Sequence, residues 1–231
     1  MVKPGSAYTG VLFDLDNTLV DRDAALRRIA NSLFESQPCI GERASRRFAV
    51  ARIIELDEGG RAGRDLLMER VLHEWPAIET SHAELLDWCS ANYGPSFARD
   101  ERVTDLVEEL SRISKPWGIV TNGSTRQREI LRAVGLDALC PCVVVSGELG
   151  HRKPDPEIFY EALRCLGLHA GAAVLFVGDD PVADIGGARA VGLSTAWVHR
   201  GRTWPDGLPL PDHEVSHPAD LATHLGLVRR P

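Results

Sequence analysis

Five short apolar runs, widely spaced along the chain, restrict what it can fold into more than any other feature. They are Gly10 to Phe13, Trp117 to Val120, Val143 to Val145, Val174 to Val177 and Thr195 to Val198. Each is apolar on consecutive positions and rich in β-branched residues, as a strand covered on both faces must be. From Asp100 onward, helix-patterned segments separate them. VTDLVEELSRI sets Val103, Leu106, Val107, Leu110 and Ile113 at helical spacing. STRQREILRAVG opens on a Ser or Thr N-cap and stops on Gly135, and ADIGGARAVG stops on Gly192. In DPEIFYEALRCLG, Asp155 is the expected N-cap, Pro156 the first helical residue and Gly167 the stop. Strand-helix alternation of this kind predicts an α/β fold, a doubly wound parallel sheet with helices on both faces.

One region breaks the alternation. Between about Asp21 and Tyr93 no strand-like run occurs, and RDAALRRIANSLFES, RASRRFAVARIIEL, GRDLLMERVLHEW and HAELLDWCSANY read as amphipathic helices. Gly94-Pro95 marks the break before the α/β pattern resumes. The expected organisation is an α/β core of residues 1–20 and 95–231, with a helical module of residues 21–94 inserted after the first strand. Gly201 to Pro218, rich in Pro, Gly and Asp, reads as loop, and PADLATHLGLV as a short closing helix.

A chain of 231 residues can bury a substantial core as one large domain, or as one domain with a smaller insert. A formal charge of -7 provides no basic excess to neutralise phosphates, which argues against nucleic acid or an anionic membrane as the main partner. A local site on such a protein can still be positive enough for a small phosphorylated substrate. No apolar run approaches the roughly 18 residues of a membrane span, and MVKPGSAYTG has no apolar signal core. Cys39, Cys89, Cys140, Cys142 and Cys165 are odd in number and contain no CxxC pair, so free thiols in a reducing cytoplasm are expected. Oligomeric state is left open between monomer and homodimer.

The chemistry gathers where strands end. The run VLF passes directly into Asp14 and Asp16, two carboxylates that repel each other and need a compensating charge if buried. The second strand ends on Thr121-Asn122-Gly123, and the fourth on Gly178-Asp179-Asp180, with Asp184 following. Lys153 stands on the loop after the third strand. In a parallel sheet all of these fall at one edge, where doubly wound folds bind ligands. Asp14, Asp179 and Asp184 could hold a hard divalent cation through oxygen, and Mg²⁺ suits such a set. A carboxylate can attack phosphorus, and a second carboxyl can protonate the leaving oxygen and later deprotonate water. Thr121 and Lys153 would then hold and balance the phosphoryl charge.

FDLDNTL, VTNGS, RKPDPEIF and VGDDPVADIGGA, in that order, resemble the four signature motifs of the haloacid dehalogenase-like (HAD) superfamily. The resemblance covers the whole chain and includes a helical cap inserted after the first motif. It implies that Asp14 is the nucleophile and Asp16 the general acid/base. Phosphate would be bound by Leu15, Asp16, Thr121, Asn122 and Lys153, with Asn122 acting through its backbone amide. Mg²⁺ would be held by Asp14, the backbone carbonyl of Asp16, Asp179 and Asp184, and Asp180 could share that work. The resemblance further implies that the cap closes over the site and selects the substrate.

Within the superfamily the second aspartate discriminates. Phosphatases resemble the DxDxT pattern, completed here by Thr18. The 2-haloacid dehalogenases lack that aspartate and need no metal, because attack on carbon leaves no alkoxide to protonate. Asp16 therefore implies an Mg²⁺-dependent phosphatase acting on a sugar phosphate, a nucleoside monophosphate or a similar metabolite. The alternatives are a dehalogenase, a phosphomutase-like phosphoryl transferase, or a catalytically silent module. DNTL leans toward the nucleotidase and acylneuraminate-phosphatase side of the family. His151 and Arg152 beside Lys153, and Arg22, Arg52 and Arg64 in the helical module, are further candidates for substrate contact. Gly186 and Gly187 are expected to serve helix-sheet packing.

Overall fold

The computed structural model describes residues 8–169 and 173–227. The chain falls into two compact units, one of Met1–Asp21 with Arg99–Pro231 and the other of Arg22–Ala98.

In the first unit, the described residues form one parallel sheet of six strands. These are β1 (Gly10–Phe13), β2 (Trp117–Thr121), β3 (Val143–Val145), β4 (Val174–Gly178), β5 (Ser194–Val198) and β6 (His213–Val215). Their order is β3-β2-β1-β4-β5-β6. β1 pairs with β2 through Val11↔Trp117 and with β4 through Phe13↔Val177. Every residue of β1, β2 and β4 is buried, which is why these strands read as unbroken apolar runs. The chain runs outward from β1 to β3, then returns to β1's other side for β4. That reversal makes the carboxyl end of β1 the topological switch point.

Helices Glu101–Arg112, Gln127–Ala133, Pro156–Cys165 and Gly187–Ala190 lie between the strands in sequence. One packed core joins Leu12, Val120 and Phe176 of the sheet to Ile158, Phe159 and Ala188 of two helices. Phe159 and Phe176 meet edge to face at 5.1 Å. Gly187 lets its helix lie against the helix of Phe159, a helix–helix contact rather than the expected helix–sheet one, since a Cβ there would come within 2.7 Å of the Phe159 ring. Asp155 caps its helix as expected, accepting from the Glu157 N–H at 3.1 Å.

Several expectations need correction. The segment read as loop from Gly201 to Pro218 contains β6, which pairs with β5 at Val198↔Val215. Its three residues are an edge, none of them buried, and so carry no apolar run. The helix expected to open on Ser124 or Thr125 begins at Gln127 after a turn, with no side-chain cap. ADIGGARAVG is a π-helical segment, Pro181–Gly186, followed by the short helix Gly187–Ala190. Within PADLATHLGLV the helical element is a 3₁₀ turn, Pro218–Leu221. Cys142 and Cys165 are joined in a disulfide rather than free, because the helix ending at Cys165 packs over the start of β3.

The second unit is built from helices Arg22–Ser36, Pro38–Arg43, Arg46–Asp57, Gly63–Glu74 and His82–Tyr93. Leu26, Ile29 and Leu33 of the first are buried, as are Ile53, Met68 and Leu85 of the others. Ser81 opens the last helix with a capping box, its hydroxyl taking the Glu84 N–H while Glu84 accepts from the Ser81 N–H.

Phe176→Ala is expected to destabilise the sheet unit by about 3–5 kcal/mol through lost burial and a residual cavity. Ser81→Ala should cost the helical unit only about 1 kcal/mol. Urea unfolding followed by far-UV circular dichroism measures both.

Candidate active site

β1 delivers Asp14 to the sheet edge still paired, with its N–H on the Val177 carbonyl at 2.8 Å. The chain then coils at once. The Leu15 carbonyl accepts from the N–H groups of Thr18, Leu19 and Val20 at 3.2, 3.0 and 3.1 Å. Asn17 takes a left-handed conformation, φ 57°, that asparagine tolerates better than most residues. This coil separates the environments of the two aspartates. Asp14 is buried and Asp16 half-buried.

Lys153 reaches Asp14 from the loop after β3. Its Nζ donates to Asp14 Oδ1 at 2.5 Å and to the Val120 carbonyl at 2.8 Å. Asp184 Oδ1 stands 2.7 Å from the same ammonium. The Asn122 side chain fixes the lysine's backbone, donating to the Lys153 carbonyl at 3.0 Å and accepting from its N–H at 2.8 Å. Asn122 thus contributes through its side chain, where only its backbone amide was expected to matter. Thr121 ends β2 fully buried beside it.

Asp184 folds back across the end of β4. Its Oδ2 accepts from the N–H groups of Asp179 and Asp180, both at 3.0 Å. Only glycine fits at position 178, because a Cβ there would collide with the Asp184 carboxylate. Oxygens of Asp14, Asp179 and Asp184 lie within 4.8 Å of one another. Asp180 is outside this group. It is exposed and caps the following turn, accepting from Val182 and Ala183 at 2.8 and 2.9 Å.

The electrostatics show what the cluster lacks. Burial pushes the Asp14 carboxyl upward, against the opposing pull of Lys153. Burial, with repulsion from Asp14 and Asp184, raises Asp179 to about 8. Burial raises Asp184 to about 6 although Lys153 draws it down. Burial alone would depress Lys153, but Asp14 and Asp184 outweigh it and keep the ammonium protonated. Lys153 faces Asp14 and Asp184 and Arg202 faces Asp179, so three carboxylates against two cations would still leave one negative charge in excess. Asp184 Oδ1 also has no well-aimed hydrogen bond. A hard divalent cation fits this all-oxygen donor set and would relieve the excess. The Asp16 carboxylate is not in the set, because it turns toward Gln127.

Several residues here were not singled out from the sequence. Gln127 donates from Nε2 to Asp16 Oδ2 and Thr121 Oγ1, both at 2.8 Å. Arg202 pairs with Asp179 Oδ2 at 3.0 Å, and Arg200 binds the Asn17 carbonyl at 2.5 Å. A polar residue on the inward turn of the helix after β2 was the one available signal for Gln127. Nothing in the loop composition marked the arginines.

The further candidates have other partners. Arg22 is buried against Asp57, with Nη2 at 2.8 and 2.9 Å from its two oxygens, and Gly60 donates to the same carboxylate. Arg52 pairs with Glu74 and Glu55, and Arg64 stacks 4.0 Å over Tyr93. His151 bonds Asp155 at 2.6 Å, and Arg152 is exposed.

With the geometry established, comparison places the chain in a family. The profile of the haloacid dehalogenase-like hydrolases matches residues 8–192, and the chain belongs to that family. Human N-acylneuraminate-9-phosphatase is 28% identical over 95% of this chain and 94% of its own length. Among solved structures, the putative HAD-hydrolase YfnB of Bacillus subtilis, bound to magnesium, aligns with a TM-score of 0.74. It is 25% identical over 96% of this chain and all of that one. A 2-haloacid dehalogenase from Pseudomonas syringae aligns with a TM-score of 0.64 and 27% identity, over 96% of this chain and 99% of that one.

The raised carboxyls make a thermodynamic prediction. An acid whose folded pKa exceeds its unfolded value stabilises the fold when protonated, and that contribution is lost as pH rises. In EDTA, Asp179 should therefore lower the melting temperature between pH 5.5 and 8. Asp179→Asn should show a shallower decline over that window. Mg²⁺ should raise the wild-type melting temperature more at pH 8 than at pH 6, because protons compete with the cation. Differential scanning fluorimetry reads all three, and parallel pH profiles for wild type and Asp179→Asn would refute the assignment.

Proposed function

We propose that the protein is a metal-dependent phosphoric monoester hydrolase that works through an aspartyl-phosphate on Asp14. The observation that carries this reading is the division of labour between two carboxyls one residue apart. Asp14 lies buried on the Lys153 ammonium and within the acidic cluster, whereas Asp16 is turned to Gln127, whose amide nitrogen also donates to Thr121. Carboxyls in such different surroundings suit different tasks.

Asp14 attacks phosphorus through a carboxylate oxygen. The bond from phosphorus to the ester oxygen breaks, its electron pair stays on that oxygen, and the Asp16 proton moves onto it. Asp16, now ionised, takes a proton from water as the water oxygen attacks the aspartyl-phosphate. The phosphorus–Asp14 bond breaks, releasing inorganic phosphate and restoring the Asp14 carboxylate. Asp16 has regained its proton, and the cycle closes. Lys153 holds Asp14 in place and offsets charge throughout, while Thr121 and the backbone of Leu15, Asp16 and Asn122 hold phosphoryl oxygens. Asp14, Asp179, Asp184 and the Asp16 carbonyl would hold Mg²⁺, which supplies Lewis-acid stabilisation of the phosphoryl charge when bound. The magnesium in the similar B. subtilis structure supports that choice of metal.

The human relative's substrate class and the DNTL variant of the first motif favour a small phosphorylated metabolite of the sugar-phosphate type. The helical unit is the proposed source of selectivity. Carbon–halogen hydrolysis, the activity in the name of the P. syringae neighbour, is the competing reading. It leaves Asp16 without a task, since no alkoxide departs.

Phosphate release from a panel of sugar phosphates, nucleoside monophosphates and phosphoglycolate should require Mg²⁺ and stop in EDTA. Asp14→Asn should fall to background, and Asp16→Asn should lose roughly 10²–10⁴ in kcat. Metal-independent halide release that survives Asp16→Asn would establish the dehalogenase reading instead.

A further inference from the structure

Gln127 stands on the first turn of its helix, 7% exposed, and faces the carboxyl end of β2. Its Nε2 is 2.8 Å from Asp16 Oδ2, 2.8 Å from Thr121 Oγ1 and 3.5 Å from the Asn122 carbonyl. The Asn122 carbonyl can only accept, as can Asp16 in its ionised form, so the amide presents its nitrogen here. The flipped amide would set oxygen lone pairs against theirs. An amide nitrogen carries two hydrogens, and the two near acceptors take them. The seat is closely fitted, because a Cβ on Gly123 would come within 2.7 Å of Gln127 Cγ.

Two consequences follow from that donor polarity. Asp16 Oδ2 is occupied as an acceptor, so the proton that Asp16 transfers is carried on Oδ1. Thr121 Oγ1 also accepts, so its own O–H is left to donate elsewhere. We infer that Gln127 is a positioning residue that aims both groups, Asp16 as proton donor to the departing oxygen and the Thr121 hydroxyl as donor to a phosphoryl oxygen. The inference rests on the phosphatase reading above. No bond to Gln127 forms or breaks. The proton passes from Asp16 Oδ1 to the ester oxygen as the phosphorus–oxygen bond breaks, and the amide keeps both of its hydrogens.

Leaving groups separate this role from simple structural support. A p-nitrophenolate departs without a proton, whereas an alkoxide needs one. The measurement is kcat/KM for p-nitrophenyl phosphate and for the alkyl phosphate that ranks first in the metabolite panel. This parameter reports steps only through the first irreversible one, here transfer to Asp14, and so excludes hydrolysis of the intermediate. Gln127→Met keeps the shape and removes both donors. Gln127→Glu keeps the shape and, when ionised, replaces a donor with an acceptor. Both variants should lose a few-fold on p-nitrophenyl phosphate through Thr121, and about tenfold or more beyond that on the alkyl phosphate, a part of the 10²–10⁴ that a general acid supplies. In an Asp16→Asn background, Gln127→Met should add no further leaving-group-dependent loss. Equal losses on both substrates in folded variants, or full activity in Gln127→Glu, would overturn the inference and leave the phosphatase reading standing. A wild-type protein that turns over neither substrate would overturn both.

Discussion

Lys153 Nζ lies between Asp14 and Asp184, and the arrangement around it depends on the charge it brings. A buried carboxylate without a partner costs several kcal/mol, and three together cannot all ionise. The ammonium compensates the Asp14 carboxylate, as the proposed nucleophilic role requires. It also limits where Asp184 can go. One Asp184 oxygen faces the lysine and the other closes the turn after β4, which holds Asp179 at the edge of the group. Breaking a buried pair of this kind typically costs about 3–5 kcal/mol, because the remaining charge is stranded. The same contacts therefore bear on folding and on chemistry.

That cluster exists because of strand order. β1 lies between β2 and β4, and β3 lies beyond β2. Segments far apart in sequence therefore meet at one edge: β1, β2 and β4 carry polar groups where they stop, and the loop after β3 brings Lys153. Thr121 is the last residue of β2 and Asp14 the first after β1. The apolar strands below are buried on both faces, so the charges sit on rigid supports rather than mobile loops. The reciprocal bonds between Asn122 and the Lys153 backbone extend that rigidity to the one group that a loop supplies.

The legible part of this design was its buried part. Consecutive apolar residues reveal a strand covered on both faces, and the residues that follow such runs mark the candidate site. Hence β1, β2, β4 and the aspartates after them could be read, and Asp155-Pro156 announced a helix start by local chemistry alone. β6 could not be read, because His213, Glu214 and Val215 form a partly exposed edge with no apolar run. Arg22 was one of several candidates for substrate contact because sequence shows a charge but not its partner, here Asp57. The Cys142–Cys165 pairing depends on a helix crossing a strand, which no local spacing encodes.

Gln127 shows the same limit from the other side. In sequence it is one polar residue in a helix of many, and helix surfaces are usually polar. Its significance comes from facing inward at the point where β2 ends. Two acceptors there, on different segments, need donors at once, and a primary amide is the neutral side chain that donates twice from a single nitrogen. A lysine in its place would add positive charge beside Asp16 and favour the ionised form that cannot donate a proton. A serine or threonine has only one hydrogen to offer. The amide supplies direction without charge, and so Asp16 can differ from Asp14 although only Leu15 separates them. The two aspartates of the first motif are thus distinguished by their second partners, an ammonium for one and an amide for the other.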